Sequence, residues 1–272
     1  MRIVSWNCHE GLWKKFDDIK EFEADIYVIG ECANPAKSKN KKYKEFAKNY
    51  IWIGEYKNRG LGIFANEDIQ LDLIANVKNE LAEDYLCWGK GNDVHIGKLA
   101  EEDMKFEEIK KMGLLMEFRH FIPVTVDGTF NLLAVWAMPE YVEMIHDFYN
   151  ANKGLFDKNL IMCGDLNSSI LFDERGEHKG KNFGMLIDKL DGHGLVPVYH
   201  YINEDEIPGH ESKPTHYWQY NLNQPFHLDH VFANPDIVDD LDIIENEKWL
   251  KLSDHLPLVF DFDESKFNKN LK

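Results

Sequence analysis

Short apolar runs recur along the chain, and several of them end in a carboxylate or carboxamide side chain. The run from 160 to 163 leads directly into Gly164-Asp165-Leu166-Asn167, and the run from 3 to 6 ends at Asn7. Several of the runs are continuously apolar, which is typical of strands that are covered on both faces. The pattern therefore predicts a sheet-based core whose polar residues collect at the ends of strands.

The predicted strands are spread over the whole chain, and three helical segments lie between them. We predict strands at 3–6, 26–29, 51–53, 61–64, 122–126, 132–136, 160–163 and 256–262. Apolar residues keep helical spacing at 12–22, 141–149 and 183–190, and two glycines end the third segment. Strands and helices mixed over one long chain predict an α/β fold with the helices outside the sheets.

The domain organisation follows from length and from the absence of a linker. A chain of 272 residues is long enough for two domains, but no Pro-rich or Ser-rich segment divides it. We predict a single domain over 1–265, with a polar excursion from the core at about 78–113 that contains a helix near 101–111. Residues 266–272 are expected to form a frayed tail.

Composition excludes several classes of protein. The apolar runs are too short to cross a bilayer, and the N-terminal residues enter a strand without a signal peptide, so we expect a cytoplasmic protein with no membrane partner. The four cysteines have no metal-motif spacing, and Cys8, Cys32 and Cys163 are interpreted as packed core residues. A net charge of −17 disfavours a protein that coats DNA, but it allows an enzyme that holds phosphate through a bound cation.

The polar residues at strand ends are the types that metal-assisted phosphoester hydrolysis needs. Glu31 and Asn7 offer oxygen ligands for a hard cation, and Asp254 completes that metal site. Asp165 is the candidate for activating a water molecule, and Asn167 is the candidate donor to a phosphoryl oxygen.

A histidine and a second carboxylate complete the predicted site. His255 can donate a hydrogen bond or a proton to the phosphate if a carboxylate holds its ring, and Asp229 is the candidate partner. The catalytic prediction therefore comprises Asp165, Asn167, Asp229 and His255, beside the metal ligands Asn7, Glu31 and Asp254.

In these motifs the chain resembles the endonuclease–exonuclease–phosphatase superfamily of metal-dependent phosphoesterases, and the resemblance spans nearly the whole chain. The matching segments are Ser5-Trp6-Asn7, Gly30-Glu31, Gly60-Leu61-Gly62-Ile63, Gly164-Asp165-Leu166-Asn167, Leu228-Asp229-His230-Val231-Phe232 and Ser253-Asp254-His255. The resemblance implies a four-layered α/β sandwich, in which two packed, mainly antiparallel sheets are flanked by helices. It also implies Mg²⁺, with Mn²⁺ as a possible substitute, at one edge of the sheets.

The sequence departs from the family pattern in three places, one of which is Gly30, where a Gln often precedes the Glu. Many members carry a catalytic His or Tyr on the strand that here contains Trp136, and the indole N–H can only donate. His9 stands where repair enzymes often have an Asp that helps to bind metal. We include His9 and Trp136 among the candidate substrate-binding residues. Lys41 and Lys42, from the dense basic run that follows Glu31, are two more.

Several alternatives remain open at this point. Asp165 and Asn167 also suit a simple turn, the basic run also suits a solvated face, and the histidines from 193 to 230 fit no standard zinc motif. The function expected first is a nuclease acting on DNA or RNA. The alternatives are a phosphatase or phosphodiesterase for a small phosphorylated molecule, which the acidic charge favours, and a binding module whose site has decayed.

Overall fold

The computed structural model describes residues 1–56, 59–74, 85–90, 93–98, 121–177 and 180–267. The helices of this part are α1 (Leu12–Ile19), α2 (Lys41–Phe46), α3 (Tyr141–Ala151), α4 (Ile170–Glu174), α5 (Phe183–Asp191), α6 (Val198–Ile202) and α7 (Glu247–Leu252). The strands are β1 (Arg2–Asn7), β2 (Ile26–Cys32), β3 (Tyr50–Tyr56), β4 (Arg59–Ala65), β5 (Leu71–Leu73), β6 (Tyr85–Lys90), β7 (Asp93–Lys98), β8 (Phe121–Val126), β9 (Phe130–Trp136), β10 (Leu160–Asp165), β11 (Val196–Pro197), β12 (His216–Tyr217), β13 (Pro225–Phe226), β14 (Asp229–Ala233), β15 (Val238–Ile243) and β16 (Leu258–Phe262).

Two large sheets contain most of these strands. The first has the order β15-β16-β1-β2-β4-β3-β6-β7, and the second has the order β11-β14-β10-β9-β8-β5. Within the described residues only the β1–β2 and β9–β10 pairs are parallel. All eight predicted strands are present. Because the other strand pairs are antiparallel, the prediction of mainly antiparallel sheets is confirmed.

The two sheets pack face to face, and helices cover their outer faces. Leu132 and Ile161 of the second sheet share one apolar core with Ile3 and Val28 of the first. Their neighbours Leu133 and Met162 point the other way, into a separate core with the apolar faces of α3 and α5. Such alternation is what a period of two along a strand produces. The arrangement is the four-layered α/β sandwich that the family resemblance implied.

The outer face of the first sheet is covered by α1, α2 and α7. Leu12 and Phe16 of α1 are buried in the same core as the sheet residues. Trp6 of β1 meets Trp249 of α7 edge to face, with ring centroids 5.2 Å apart. Aromatic pairs in this geometry add to the stabilisation from burial alone. None of the helices in the described part of the chain has the length and hydropathy needed to cross a bilayer.

The region predicted to leave the core contains two strands of the first sheet. β6 pairs with β3, and β7 pairs with β6, so residues 85–90 and 93–98 extend that sheet. The polar composition of this segment had suggested few strands, and that expectation was wrong because the short apolar run Tyr85-Leu86-Cys87-Trp88 of β6 is surrounded by polar residues. The helix expected near 101–111 lies outside the described residues. Of the predicted tail, Phe267 is buried and stacks on Phe130 at 4.9 Å.

The strand period also brings the candidate site residues to one place. Asp165 continues the face of β10 that carries Ile161 and Cys163, which points toward the first sheet. On β1, Asn7 and Ser5 follow Ile3 on one face, while Trp6 faces α7. The side-chain amide of Asn7 therefore meets Asp165 across the space between the sheets, where its Nδ2 donates to Asp165 Oδ2 at 2.9 Å.

Candidate active site

A cleft with a volume of about 660 Å³ lies where β1, β2 and β10 end. Its lining includes eight of the predicted site residues: Asn7, His9, Glu31, Trp136, Asp165, Asn167, Asp254 and His255. Asp229 lies behind this lining and is bonded to His255. Lys41 and Lys42 lie on α2 and are not among the residues that line the cleft.

Asp165 is held by three hydrogen bonds. Its Oδ1 accepts from the backbone N–H of Asn167 at 2.9 Å, and its Oδ2 accepts from the side-chain amides of Asn7 at 2.9 Å and Asn167 at 3.0 Å. Burial raises the pKa of Asp165 to about 7, against the opposing effects of the nearby imidazolium of His255 and of these hydrogen bonds. A carboxylate with a pKa near neutrality is suited to exchange a proton with water.

His255 and Asp229 form a buried pair. His255 Nδ1 donates to Asp229 Oδ2 at 2.8 Å, and His255 Nε2 is 3.8 Å from Asp165 Oδ2. Burial alone would lower the pKa of His255, but the carboxylates of Asp229 and Asp165 outweigh it and raise the pKa to about 10. The ring is therefore a cation at neutral pH. Asp229 is fully buried, and its backbone N–H donates to Thr215 Oγ1 at 3.0 Å.

Glu31 lies at the end of β2 in a left-handed backbone conformation, with φ 55°. Its Oε1 accepts from Arg59 Nη2 at 2.9 Å and lies 3.4 Å from Asn7 Nδ2. His9 and Asn167 also have positive φ values, 46° and 47°. Such conformations are costly for residues other than glycine, and they cluster at functional sites. Three of the predicted site residues therefore carry backbone strain.

Asp254 stands beside two histidines. Its Oδ1 is 3.1 Å from His9 Nδ1, and its Oδ2 is 3.7 Å from His216 Nε2. Burial would raise the pKa of Asp254, but the interactions with His216, His255 and His9 lower it. The ring of His216 is 4.3 Å from that of His255, and burial lowers its own pKa. Asp254 is therefore an anion between two imidazoles.

The oxygen-rich end of the cleft fits a hard divalent cation. Glu31 supplies a carboxylate. The carboxamide of Asn7 lies beside it, with Nδ2 3.4 Å from Glu31 Oε1 and with Oδ1 accepting from the backbone N–H of His9 at 3.1 Å, so Asn7 would bind a cation through Oδ1. Oδ1 of Asp254 is buried and accepts no well-oriented hydrogen bond from the described residues. Carboxylate and carboxamide oxygens are the ligands that Mg²⁺ and Mn²⁺ prefer. Two further groups have ligand atoms close enough to share an ion: His216, Asp254 and His255, and Asp165, Asp229 and His255.

Arg59 and His216 are among the polar residues of the cleft that sequence reasoning missed. Arg59 was detectable, because it directly precedes the glycine motif of β4, the strand that pairs with the end of β2. His216 was classed with the scattered histidines, yet it is buried in the cleft wall and bridges to His255. No local pattern marks His216, since its neighbour in space lies far along the chain.

The interpretation of the cysteines as core residues agrees with the structure. Cys8, Cys32 and Cys163 are all buried. Burial raises the pKa of the Cys8 thiol to about 12, because the cost of burying a thiolate outweighs the attraction of Lys15. These side chains therefore support the site by packing.

Comparisons with known proteins show that this chain is similar to solved structures in its fold. No family model matches the chain. No curated protein matches it either. An AP endonuclease from Archaeoglobus fulgidus superimposes with a TM-score of 0.64 at 16% identity, covering 97% of this chain and 99% of that one.

Two further solved structures also superimpose on this chain. The 3′ phosphatase NExo from Neisseria, bound to a product DNA hairpin, gives a TM-score of 0.59 at 15% identity over 97% of this chain and 99% of its own. The catalytic domain of APE2 from Xenopus laevis gives 0.55 at 15% identity over 96% and 91%. The chain therefore has the deoxyribonuclease I-like α/β-sandwich fold of these solved structures.

Proposed function

We propose that this protein is a divalent-metal-dependent phosphodiester hydrolase that acts on nucleic acid. The observation that carries the proposal is one cleft that holds Asp165, the Asn7–Glu31 pair and the His255–Asp229 pair. The number of polar side chains that meet in this one cleft favours a catalytic site over a decayed binding module.

The chain's own residues have separate tasks in this proposal. Glu31 and Asn7 would hold the cation, with Asp254 nearby, and Mg²⁺ or Mn²⁺ would neutralise negative charge on the phosphate. Asp165 orients the attacking water and accepts its proton. The amide of Asn167 uses its two N–H groups on Ala137 O at 3.1 Å and Asp165 Oδ2 at 3.0 Å, and it would donate to a phosphoryl oxygen in exchange for one of these bonds. His255 is the cationic donor on the other side.

DNA is the substrate class that the comparisons favour. The neighbour from Archaeoglobus is an AP endonuclease, and the neighbour from Neisseria is a 3′ phosphatase bound to DNA. The net charge of −17 does not oppose this substrate, because the cation and His255 give the cleft positive charge of its own. The identity of the metal and the cytoplasmic location remain predictions.

A small phosphorylated molecule is the second candidate substrate. It is favoured by the position of Lys41 and Lys42, which lie outside the cleft lining. Within the described part of that lining Arg59 is the only lysine or arginine. A long nucleic acid would gain few phosphate contacts beyond the cleft unless the basic run reaches it.

The test is a metal-dependent activity panel on the wild type and on Asp165→Asn. Substrates are single-stranded DNA, duplex DNA, RNA, bis-p-nitrophenyl phosphate and phosphomonoesters, each with Mg²⁺ or Mn²⁺. An amide cannot accept a proton, so we expect turnover to fall on the order of 10²–10⁴-fold in the variant. Asp239→Asn, which alters an exposed carboxylate on β15, is the matched control. Unchanged turnover in pure Asp165→Asn would remove this residue from the mechanism.

A further inference from the structure

Arg59 is the cleft residue whose position the proposed function leaves unexplained. Its side chain is 50% exposed, and its Nη2 donates to Glu31 Oε1 at 2.9 Å. Its guanidinium carbon also lies 5.0 Å from the ring centroid of Trp136. Arginine over an aromatic face is an attractive arrangement. The guanidinium of Arg59 is thus held by Glu31 and Trp136, two of the predicted site residues.

The fold fixes where this arginine stands. β4 begins at Arg59 and pairs antiparallel with β2, with a register shift between Ile29 and Cys32 that places the start of β4 beside Glu31. The next residue, Gly60, admits no side chain, because a Cβ there would lie 2.3 Å from Ile53 O. The backbone that carries Arg59 therefore has little freedom to move away from the cleft.

The guanidinium has donors to spare. Arginine presents five N–H groups in a planar fork, and within the described residues only Nη2 contacts Glu31. The fork suits two oxygens of one phosphate, and the group stays protonated at any physiological pH. It can therefore neutralise charge on a phosphoryl group, although it cannot supply a proton to a leaving group.

We propose that Arg59 is a substrate-binding residue that contacts a phosphoryl oxygen in the cleft, and that Trp136 holds it there. The proposal rests on the proposed function, since it deepens the assignment of the same site. The strand that contains Trp136 has no hydroxyl or imidazole side chain. Trp136 instead provides the ring on which the guanidinium of Arg59 packs. The alternative is that Arg59 serves only as the counter-ion of Glu31.

Binding of inorganic phosphate separates the two roles. The Mg²⁺-saturated wild type, Arg59→Ala and Arg59→Lys are titrated with inorganic phosphate and followed by ³¹P NMR, while Mn²⁺ affinity is measured by EPR without phosphate. Loss of a charge-assisted contact should weaken phosphate binding on the order of ten- to a hundredfold in Arg59→Ala. Arg59→Lys should recover only part of it, because an ammonium lacks the planar fork.

Two further variants sharpen the test. Trp136→Leu should weaken phosphate binding in the same direction, because it removes the ring beneath the guanidinium. Lys251→Ala removes a positive charge from an exposed helix pair with Glu247, and it should bind phosphate like the wild type. Unfolding temperatures of all variants are compared, so that Trp136→Leu is replaced by Trp136→Met, which also lacks an aromatic ring, if it fails to fold.

A counter-ion role predicts the opposite pattern. Arg59→Ala would then bind Mn²⁺ as tightly as the wild type or more tightly, and its phosphate affinity would be unchanged. That result, or a wild type that binds no phosphate, would overturn the proposal. No turnover is needed for these measurements. Absence of hydrolysis in the activity panel would therefore count against the proposed function alone.

Discussion

The imidazole of His255 shows how two carboxylates change the chemistry of one side chain. Asp229 contacts one ring nitrogen at 2.8 Å, and Asp165 lies 3.8 Å from the other. Burial opposes a charge on this ring, and a pKa of about 10 means that the carboxylates outweigh it. The two roles differ, because Asp229 is sealed in the interior whereas Asp165 borders the cleft.

We expect Asp229→Asn to lower the pKa of His255. The carboxylate stabilises the imidazolium, so its removal leaves burial less opposed, and an adjacent opposite charge is worth about 1–3 pKa units. An NMR titration of the histidine ring resonances measures the change. Asp239→Asn should leave the His255 titration unchanged. The pairing would be wrong if His255 titrated at the same pH in Asp229→Asn and in the wild type.

The sequence allowed individual site residues to be predicted where a motif ends a strand. Asn7, Glu31 and Asp165 were found because each follows an apolar run, and all three line the cleft. Arg59 and His216 were missed because their significance comes from neighbours across a sheet or a loop. Contacts between residues that are distant in the chain leave no local pattern.

At the scale of elements, the end of β10 depends on one glycine. Gly164 has φ 142°, and a Cβ there would lie 1.9 Å from Val135 O on the parallel strand β9. No side chain can be accommodated without moving one of the two strands. Because Asp165 is the next residue, the close approach of β9 and β10 also sets the position of the candidate base.

Gly164→Ala should therefore damage both stability and turnover. The expected loss is about 2–5 kcal/mol in the free energy of unfolding, from backbone strain and overpacking together. Chemical denaturation measures it. Gly154→Ala is the matched control, because a Cβ at Gly154 meets nothing within 4 Å. Equal stability of the two variants would show that β9 and β10 can separate without cost.

Element prediction succeeded where apolar runs are long and failed at the edge of the first sheet. The central strands are covered on both faces and therefore consist of continuous runs of apolar residues. β7 is the edge strand, and β6 lies between β3 and β7. Both strands lie in a segment that is polar as a whole, and these polar surroundings conceal the short apolar run Tyr85-Leu86-Cys87-Trp88 of β6.

At the scale of the whole molecule, a buried histidine links stability to pH. His230 Nε2 donates to Ser168 O at 2.9 Å, and the ring packs against Phe183 at 4.7 Å. Burial, helped by the neighbouring His227, lowers the pKa of His230 from 6.5 to about 3. The folded protein therefore keeps this ring neutral under conditions in which the unfolded chain protonates it.

The sign of the effect follows from this difference. Above pH 6.5 the ring is neutral in both states, and from there down to about pH 3 only the unfolded chain gains the proton. Stability should thus fall with falling pH by up to about 1.4 kcal/mol per pH unit. His230→Gln should flatten the slope, whereas His210→Gln, at an exposed position, should not. Urea denaturation between pH 5 and 7 tests this, and identical slopes would contradict it.

The basic run after Glu31 is the other whole-molecule feature with a testable consequence. If the substrate is DNA, Lys39, Lys41 and Lys42 are expected to contact phosphates beyond the cleft. Replacing all three by Ser should weaken DNA binding and flatten its salt dependence, by roughly 0.9 per lost contact on duplex or 0.7 on single strands. Hydrolysis of bis-p-nitrophenyl phosphate should stay intact. Unchanged DNA affinity and salt slope would favour the small phosphorylated substrate.

The hydrogen bond from Asn7 to Asp165 joins side chains from opposite sheets. Asn7, Glu31 and Arg59 belong to the first sheet, and Trp136, Asp165 and Asp229 belong to the second. Neither sheet supplies all of the candidate site residues. A movement of one sheet relative to the other would separate these site residues while every strand stayed intact. For the proposed hydrolase we therefore expect activity to respond to a change in the alignment of the two sheets before secondary structure does.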